Sequence, residues 1–196
     1  MHQGSLFDGA FALPPRKPPV LSATVLLAWQ ERIHCHQARV RQALRASQQP
    51  VGQLALLPGS DAMAGLPRGF DPLTLVSQPL NFWRWPQAPN HGAAHYFVVD
   101  EPPHLEGSLL LYVGETGTAA TRWKGDHDCK GYLAAYGDVL RQAGLRAALS
   151  IRFWCDAPRH TAARRAQERA LIQCWWPPFN KEMQGRWTTP FTALTG

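Results

Sequence analysis

Long apolar runs, paired cysteines and glycine-rich phosphate loops are all missing from this 196-residue chain. No apolar stretch approaches the roughly 20 residues that a membrane-spanning helix needs, so the sequence does not predict a membrane protein. Its 4 cysteines lie far apart and form no Cys-x-x-Cys pair, which argues against a zinc ribbon and a disulfide scaffold. Residues 1–5 lack the basic and then apolar pattern of a secretory signal. We therefore expect a reduced, cytoplasmic protein.

Charged residues are also scarce, at 17% of the chain, and the 45% of hydrophobic residues is enough to bury a core. The net charge of +6 is unevenly distributed. Residues 118–186 contain 12 Lys/Arg and 6 Asp/Glu, whereas residues 1–117 contain 8 of each. A local basic excess is typical of proteins that bind a polyanion. An arginine-rich helix face exposed to solvent would give the same count.

Prolines and polar residues separate an N-terminal region from a compact C-terminal one. Residues 1–20 include the run PPRKPP, which cannot enter a helix or sheet interior, and they are predicted to be a flexible lead. Residues 21–91 are predicted to form an N-terminal helix, over about 22–47, followed by an extended arm. The compact domain is predicted to span residues 92–196.

Short strand-like runs alternate with helical ones in this compact domain. Two strands separated by a proline-containing turn predict an antiparallel hairpin. The predicted strands are 94–100, 109–114 and 148–155, and the predicted helices are 118–124, 132–142 and 161–175. The predicted fold class is therefore α/β, with a three-stranded antiparallel sheet flanked by helices and an N-terminal helical arm.

Five polar residues of this domain have side chains suited to phosphodiester chemistry. Tyr96 and Tyr112 lie on the two hairpin strands, and Arg122 follows the second of them. Glu168 lies on the last long predicted helix, and Asn180 follows two prolines. A phenol can exchange a proton, an arginine can bind phosphate through two N–H groups, and a carboxylate can bind a hard divalent cation. Taken singly, each residue also has an ordinary structural explanation, such as a helix-surface ion pair for the glutamate.

In this order and spacing, these residues resemble the GIY-YIG nuclease superfamily over about residues 92–186. The first family motif stands here as Ala94-His95-Tyr96, so alanine and histidine replace its glycine and isoleucine. The second motif stands as Tyr112-Val113-Gly114. The family arginine, helix glutamate and closing asparagine match the three remaining residues of the set. The resemblance implies a GIY-YIG-like fold and a divalent-metal-dependent DNA endonuclease.

The resemblance also implies a role for each matched residue. Tyr96 would take a proton from the attacking water, and Tyr112 would be a neighbour that relays protons. Arg122 would bind phosphate oxygens, and Glu168 would bind a single Mg²⁺ or Mn²⁺. Asn180 would brace the site. The ion would neutralise the phosphate and the leaving 3′ oxygen.

Family members often carry a histidine or tyrosine one turn after the arginine. That position is Asp126 in this chain, and His127 follows it. Because Gly125 can bend the chain and bring His127 round, we take His127 as a candidate catalytic residue. Lys124 and Lys130 flank this segment, and we expect them to contact backbone phosphates of DNA. Solvated surface lysines would explain the same pattern.

The matched domain does not by itself choose a DNA substrate. The absence of a recognisable zinc finger or helix-turn-helix favours structure-selective cutting of branched or junction DNA, as in recombination or repair. A restriction-type endonuclease is the alternative within the same class. A catalytically inactive DNA-binding protein of the same fold, or an unrelated basic scaffold protein, is the alternative from another class. Paired cuts on two strands would favour a homodimer, with the helix over 22–47 as the candidate interface.

Overall fold

The computed structural model describes residues 21–47, 66–84, 90–124 and 128–189. Within these ranges the chain forms four α-helices and one four-stranded antiparallel sheet. In chain order the elements are α1 (Ala23–Ser47), β1 (Gln78–Pro79), β2 (Ala94–Asp100), β3 (Leu109–Thr116), α2 (Asp128–Gln142), β4 (Leu149–Trp154), α3 (Thr161–Trp175) and α4 (Gln184–Trp187). The strand order is β1-β4-β2-β3. None of the helices in the described ranges is long and apolar enough to cross a membrane.

The predicted hairpin and third strand are confirmed, but the predicted number of strands is wrong. A fourth strand, β1, pairs with β4 at the outer edge through Gln78 and Pro79. Two residues are too few for an alternating pattern to be recognised in the sequence, and proline is tolerated only at such an edge. The predicted helix over 118–124 is also wrong. Its backbone bonds, Thr121 to Thr118 and Lys124 to Thr121, span three residues and form successive turns.

Strand β2 is the centre of the sheet, because it pairs with β3 on one side and with β4 on the other. All seven of its residues are buried. Tyr96 and Val98 belong to one apolar core, together with residues of α2, and Phe97 and Val99 belong to a second core, together with residues of α3. The sheet is therefore covered on both faces, and functional groups are accessible only near its edges and ends.

Helix α1 packs into both cores. Trp29, in its first half, belongs to the core on the α2 face, and Leu44, in its second half, belongs to the core on the α3 face. Between them, the Gln37 amide donates to the Leu110 carbonyl at 2.9 Å and accepts from the Leu110 N–H at 2.8 Å. Helix α1 therefore passes from one face of the sheet to the other around the outer edge of β3.

Candidate active site at the edge of strand β3

Polar side chains bind the backbone along the outer edge of β3. After Gln37, the next is Asn180, whose Oδ1 accepts from the Val113 N–H at 3.0 Å. The third is Glu168, whose Oε1 accepts from the Glu115 N–H at 3.1 Å. An exposed strand edge leaves unpaired N–H groups, and each of these contacts satisfies one of them. Two of the predicted site residues therefore lie side by side along one strand edge.

The Asn180 amide is occupied by the backbone at both of its ends. Besides accepting from Val113, its Nδ2 donates to the Val113 carbonyl at 2.8 Å, and the side chain is almost completely buried. The preceding residue, Phe179, donates its N–H to the Leu111 carbonyl at 3.0 Å. These bonds attach the segment after α3 to β3. Asn180 thus acts as a positioning residue for this segment, which forms one wall of the site.

Two arginines of helix α3 fix it against β3. Arg164 is almost fully buried, and its Nε donates to the Glu115 carboxylate at 2.7 Å. Arg165 contacts the same carboxylate at 3.4 Å. The same-helix arginines that would ordinarily pair with Glu168 therefore pair with Glu115 instead. No ion pair joins Glu168 to any residue in the ranges that the structure describes.

The Glu168 carboxyl has a strongly perturbed acidity. Burial raises its pKa, and the nearby carboxylates of Glu115 and Glu182 raise it further, to about 7. The hydrogen bond from the Glu115 N–H and the positive charge of Arg122 act in the opposite direction. A half-buried carboxyl that titrates near neutral pH, with like charges beside it, is a common feature of functional sites.

The two candidate tyrosines stack behind this carboxyl. Their ring centroids lie 6.0 Å apart, with 27° between the ring planes. Tyr96 is completely buried in the core, whereas Tyr112 is half-buried and lines an open cleft. A hydrogen bond between the two side chains raises the pKa of Tyr96 and lowers that of Tyr112. This geometry favours Tyr112 as the tyrosine that meets a substrate.

Burial dominates the acidity of both phenols. It raises the pKa of Tyr96 far above the ordinary value of a tyrosine, and it raises the pKa of Tyr112 to about 12. The positive charge of Arg122 lowers both values, as does the Tyr96 hydrogen bond for Tyr112. The Tyr112 hydroxyl consequently loses its proton at a lower pH than the Tyr96 hydroxyl.

A close backbone approach explains the glycine after the second tyrosine. Gly114 pairs directly with Tyr96 across the two strands. A Cβ atom at Gly114 would lie 2.2 Å from Cζ and 2.3 Å from the hydroxyl oxygen of Tyr96. The Tyr96 ring therefore occupies the space that a side chain would take, and only glycine fits there.

Arg122 lies in the turns that follow β3. The Ala119 N–H donates to the Gly92 carbonyl at 2.8 Å, which holds these turns against the start of β2. The Arg122 guanidinium carbon lies 5.5 Å from the centroid of the Tyr96 ring. At this distance the cation interacts with the aromatic face. Its charge reaches Glu168 as well, whose pKa it lowers.

An open cleft of about 260 Å³ connects these groups to solvent. It contains two carboxylates, two cations and two phenols. The lining residues are Tyr112, Tyr132, Glu168, Arg169, Ile172, Phe179, Asn180, Lys181 and Glu182. Sequence reasoning missed Tyr132, Lys181 and Glu182, and also Arg169, which directly follows Glu168. For Lys181 and Glu182 the available signal was their position directly after Asn180, and for Tyr132 there was none.

Two carboxylates line this cleft and could hold a hard cation. The described residues contain no group of three or more His, Cys, Asp or Glu side chains that could hold a metal ion. Glu168 and Glu182 nevertheless line one cleft, and their mutual repulsion contributes to the raised pKa of Glu168. A divalent cation would relieve this repulsion, and Mg²⁺ commonly binds through one or two carboxylates together with substrate phosphates.

The remaining predicted residues lie away from the cleft or outside the described ranges. Lys124 is exposed at the end of the turns after β3. The Lys130 ammonium lies 5.8 Å from the centroid of the Trp123 ring. The predictions for Asp126 and His127 fall outside the described residues. The structure thus brings together five of the six candidate catalytic residues, three of which line or directly face the cleft.

Comparison with known proteins identifies no relative. No protein-family model matches this chain, and no curated protein or solved structure matches it.

Proposed function

We propose that this protein is a divalent-metal-dependent DNA endonuclease that cuts at the cleft beside β3. The proposal is carried by one observation: Tyr112 and Glu168 line this cleft, and the positive charge of Arg122 acts on both of them. The three residues come from β3, from the turns after it and from α3, so only the fold brings them together. A proton-exchanging phenol, a cation for phosphate and a carboxyl that can bind a divalent ion are groups suited to phosphodiester hydrolysis.

The proposed roles follow from accessibility. Tyr112 lines the cleft, and its phenolate, the minor form at neutral pH, accepts the proton of the attacking water after its own proton has left to solvent. Tyr96 is buried behind it, and its hydrogen bond with Tyr112 lowers the pKa of Tyr112. Tyr96 is therefore a positioning residue, and the roles that the family resemblance gave to the two tyrosines are exchanged in this proposal.

The cations and the carboxylates of the site have different proposed roles at the phosphate. Arg122 binds the non-bridging oxygens and stabilises the charge that develops on them. Lys181 and Arg169, at the cleft wall, hold the flanking backbone. Glu168, with Glu182 beside it, would hold Mg²⁺ or Mn²⁺. When bound, such an ion supplies neutralisation of the phosphate and of the leaving 3′ oxygen.

Duplex or branched DNA is the proposed substrate class, with structure-selective cutting in recombination or repair preferred over restriction-type cutting. The cleft is open, and the basic excess of residues 118–186 is suited to the DNA backbone.

The test is a cleavage panel of plasmid, linear duplex, flap and four-way junction DNA, each with Mg²⁺, Mn²⁺ or EDTA. We expect cutting that depends on the metal and is lost in Glu168→Gln, while the matched variant Glu31→Gln, at an exposed glutamate of α1, retains it. Equal cutting by wild type and Glu168→Gln in Mg²⁺ would contradict the metal-site assignment. Preferential cutting of the flap or junction would support structure selectivity, and fixed fragments from the linear duplex would support the restriction-type alternative.

A second candidate is a DNA-binding protein of the same architecture without catalysis. It is favoured by the use of Glu168 and Asn180 as backbone ligands of β3, since both contacts are structural. In that case every DNA in the panel would be bound in EDTA, measured by fluorescence anisotropy, and none would be cut with either metal.

A further inference from the structure

A second cleft, of about 200 Å³, lies between α1 and the turn that joins β2 to β3. Six residues on one side of α1, at helical spacing, line it together with two residues of the turn. The lining side chains that carry the argument are His34, Arg41, Arg45, Glu106 and Ser108. None of these belongs to the site beside Glu168.

The charge of this part of α1 is entirely positive. Residues 32–47 contain four arginines and no aspartate or glutamate. Arg45 lies in the last turn of the helix, where its charge complements the helix dipole. The dipole does not explain Arg41, which lies one turn earlier and faces the same cleft. The one carboxylate in the cleft lining, that of Glu106, is on an exposed residue.

Arg41 is held in a fixed orientation by an ion pair on one side of its guanidinium. Its Nε donates to Asp71 Oδ2 at 2.8 Å, and the two side chains are 28% and 13% exposed. Asp71 is fixed in turn, because its Oδ1 accepts from the Leu73 N–H at 2.9 Å. The terminal nitrogens of Arg41 have no hydrogen bond to a residue within the described ranges. An arginine oriented in this way presents a planar pair of donors, which is the geometry that binds phosphate.

The turn between β2 and β3 closes the other side of the cleft. His34 Nε2 hydrogen-bonds to the Glu106 carbonyl at 3.2 Å. Gly107 has a φ of 135°, and a Cβ there would lie 3.3 Å from His34 Nε2, so a side chain at this position would press against the histidine. The turn is thereby held close to α1, with Ser108 in the cleft wall.

We propose that this cleft binds a backbone phosphate of the same DNA that is cut beside Glu168. The inference rests on the proposed function and extends its binding surface. One cleft is lined by Ser108, directly before β3, and the other by Tyr112, within β3. Four residues of an extended strand separate them, which corresponds to about 13 Å. At 3.4 Å per nucleotide along one strand, this is roughly four nucleotides.

The test compares two arginines of the same helix in DNA binding. Arg45→Gln removes a cation that lines the cleft. Arg39→Gln removes an exposed cation that lies two residues before Arg41, and therefore on the opposite side of the helix from the cleft. Affinity for a 20-base-pair duplex is measured by fluorescence anisotropy in EDTA at a series of salt concentrations. We expect Arg45→Gln to reduce the log–log salt slope by about 1 relative to wild type, and Arg39→Gln to leave it unchanged.

A third variant tests the fixed geometry of Arg41. Arg41→Lys keeps the charge and loses the planar pair of donors, so we expect weaker binding with a nearly unchanged salt slope. Circular dichroism melts of each variant establish that it is folded before binding is compared.

The outcomes separate this inference from the proposed function. Equal slopes for Arg45→Gln and Arg39→Gln, with DNA bound, would overturn the inference and leave the endonuclease proposal intact. A flat salt slope for the wild type would overturn both. A change of oligomeric state in Arg45→Gln, seen by light scattering without a change of slope, would identify the cleft as a protein interface and would also overturn the inference.

Discussion

The acidity of Glu168 leads to a prediction that needs no substrate. Its pKa is raised from the ordinary value of 4.5 to about 7, so the folded state holds this proton more tightly than the unfolded state does. The associated stability is fully present below pH 4.5 and is lost as the pH rises through about 7. Ionised Glu168 should therefore destabilise the native protein at pH 8, and Glu168→Gln should remove this destabilisation.

The size of the effect follows from the same values. At about 1.4 kcal/mol for each pKa unit, a rise from 4.5 to about 7 corresponds to about 3 kcal/mol. Because the carboxyl lines an open cleft, solvent screening reduces this figure, and we expect about 1–3 kcal/mol. Glutamine keeps a side-chain oxygen that can accept from the Glu115 N–H, so the edge contact of β3 is retained.

The assay is urea unfolding of wild type and Glu168→Gln between pH 5 and pH 8.5, without divalent ions. The stability of the variant relative to wild type should increase with pH across this range, and the matched variant Glu31→Gln should show no such trend. Added Mg²⁺ should then stabilise the wild type by about 1.4 kcal/mol at ten times its Kd, and it should not stabilise Glu168→Gln. A pH-independent difference, or a variant that is less stable at pH 8, would refute the reasoning.

Three further predictions concern the residues around this carboxyl. Gly114→Ala should lower the free energy of unfolding by about 3 kcal/mol or more, because its Cβ would lie 2.2 Å from the Tyr96 ring. Gly137→Ala on α2, where nothing lies within 4 Å of the new Cβ, should instead stabilise the protein by up to about 1 kcal/mol. Thermal melts of both variants check this pair of predictions. Asn180→Ala should cost about 2–4 kcal/mol in urea unfolding, because it leaves a buried N–H and a buried carbonyl of β3 unpaired. In single-turnover cleavage, Tyr112→Phe should lose more activity than Tyr96→Phe, and the opposite order would restore Tyr96 as the proton acceptor.

The elements with strong local signals could be predicted from the sequence. The strand over Ala94–Asp100 and the helix over Thr161–Trp175 were expected within these limits, because apolar periodicity and flanking prolines mark them. The two-residue strand β1 has no such signal, and it exists only because β4 offers an unpaired edge. The turns after β3 have helix-like composition, but their backbone bonds are to residues three positions away and to the start of β2.

The sequence alone is enough to propose the set of candidate site residues, because order and spacing along the chain are properties of the sequence. The burial of these residues and the partners with which they pair could not be predicted from the sequence. Tyr96 and Tyr112 both lie on predicted strands, and the sequence does not distinguish their environments. The register of β2 with β3 places the Tyr96 ring on Gly114 in the core, whereas Tyr112 lines the cleft. Arg164 and Arg165 are suitably spaced partners for Glu168 on one helix, yet both pair with Glu115 on the neighbouring strand β3.

The sequence by itself determined which groups are available: the phenols, the arginines, the carboxylates and a basic C-terminal region. The tertiary structure alone decided which of them are desolvated and which are neighbours. The fold buries Glu168 and brings it close to Glu115 and Glu182, which are separated from it in the sequence. Burial and these two carboxylates together raise the pKa of Glu168 to about 7. The physical reason is that desolvation and charge interactions depend on distances through space, which the packing of α3 on the edge of β3 sets and no local pattern records.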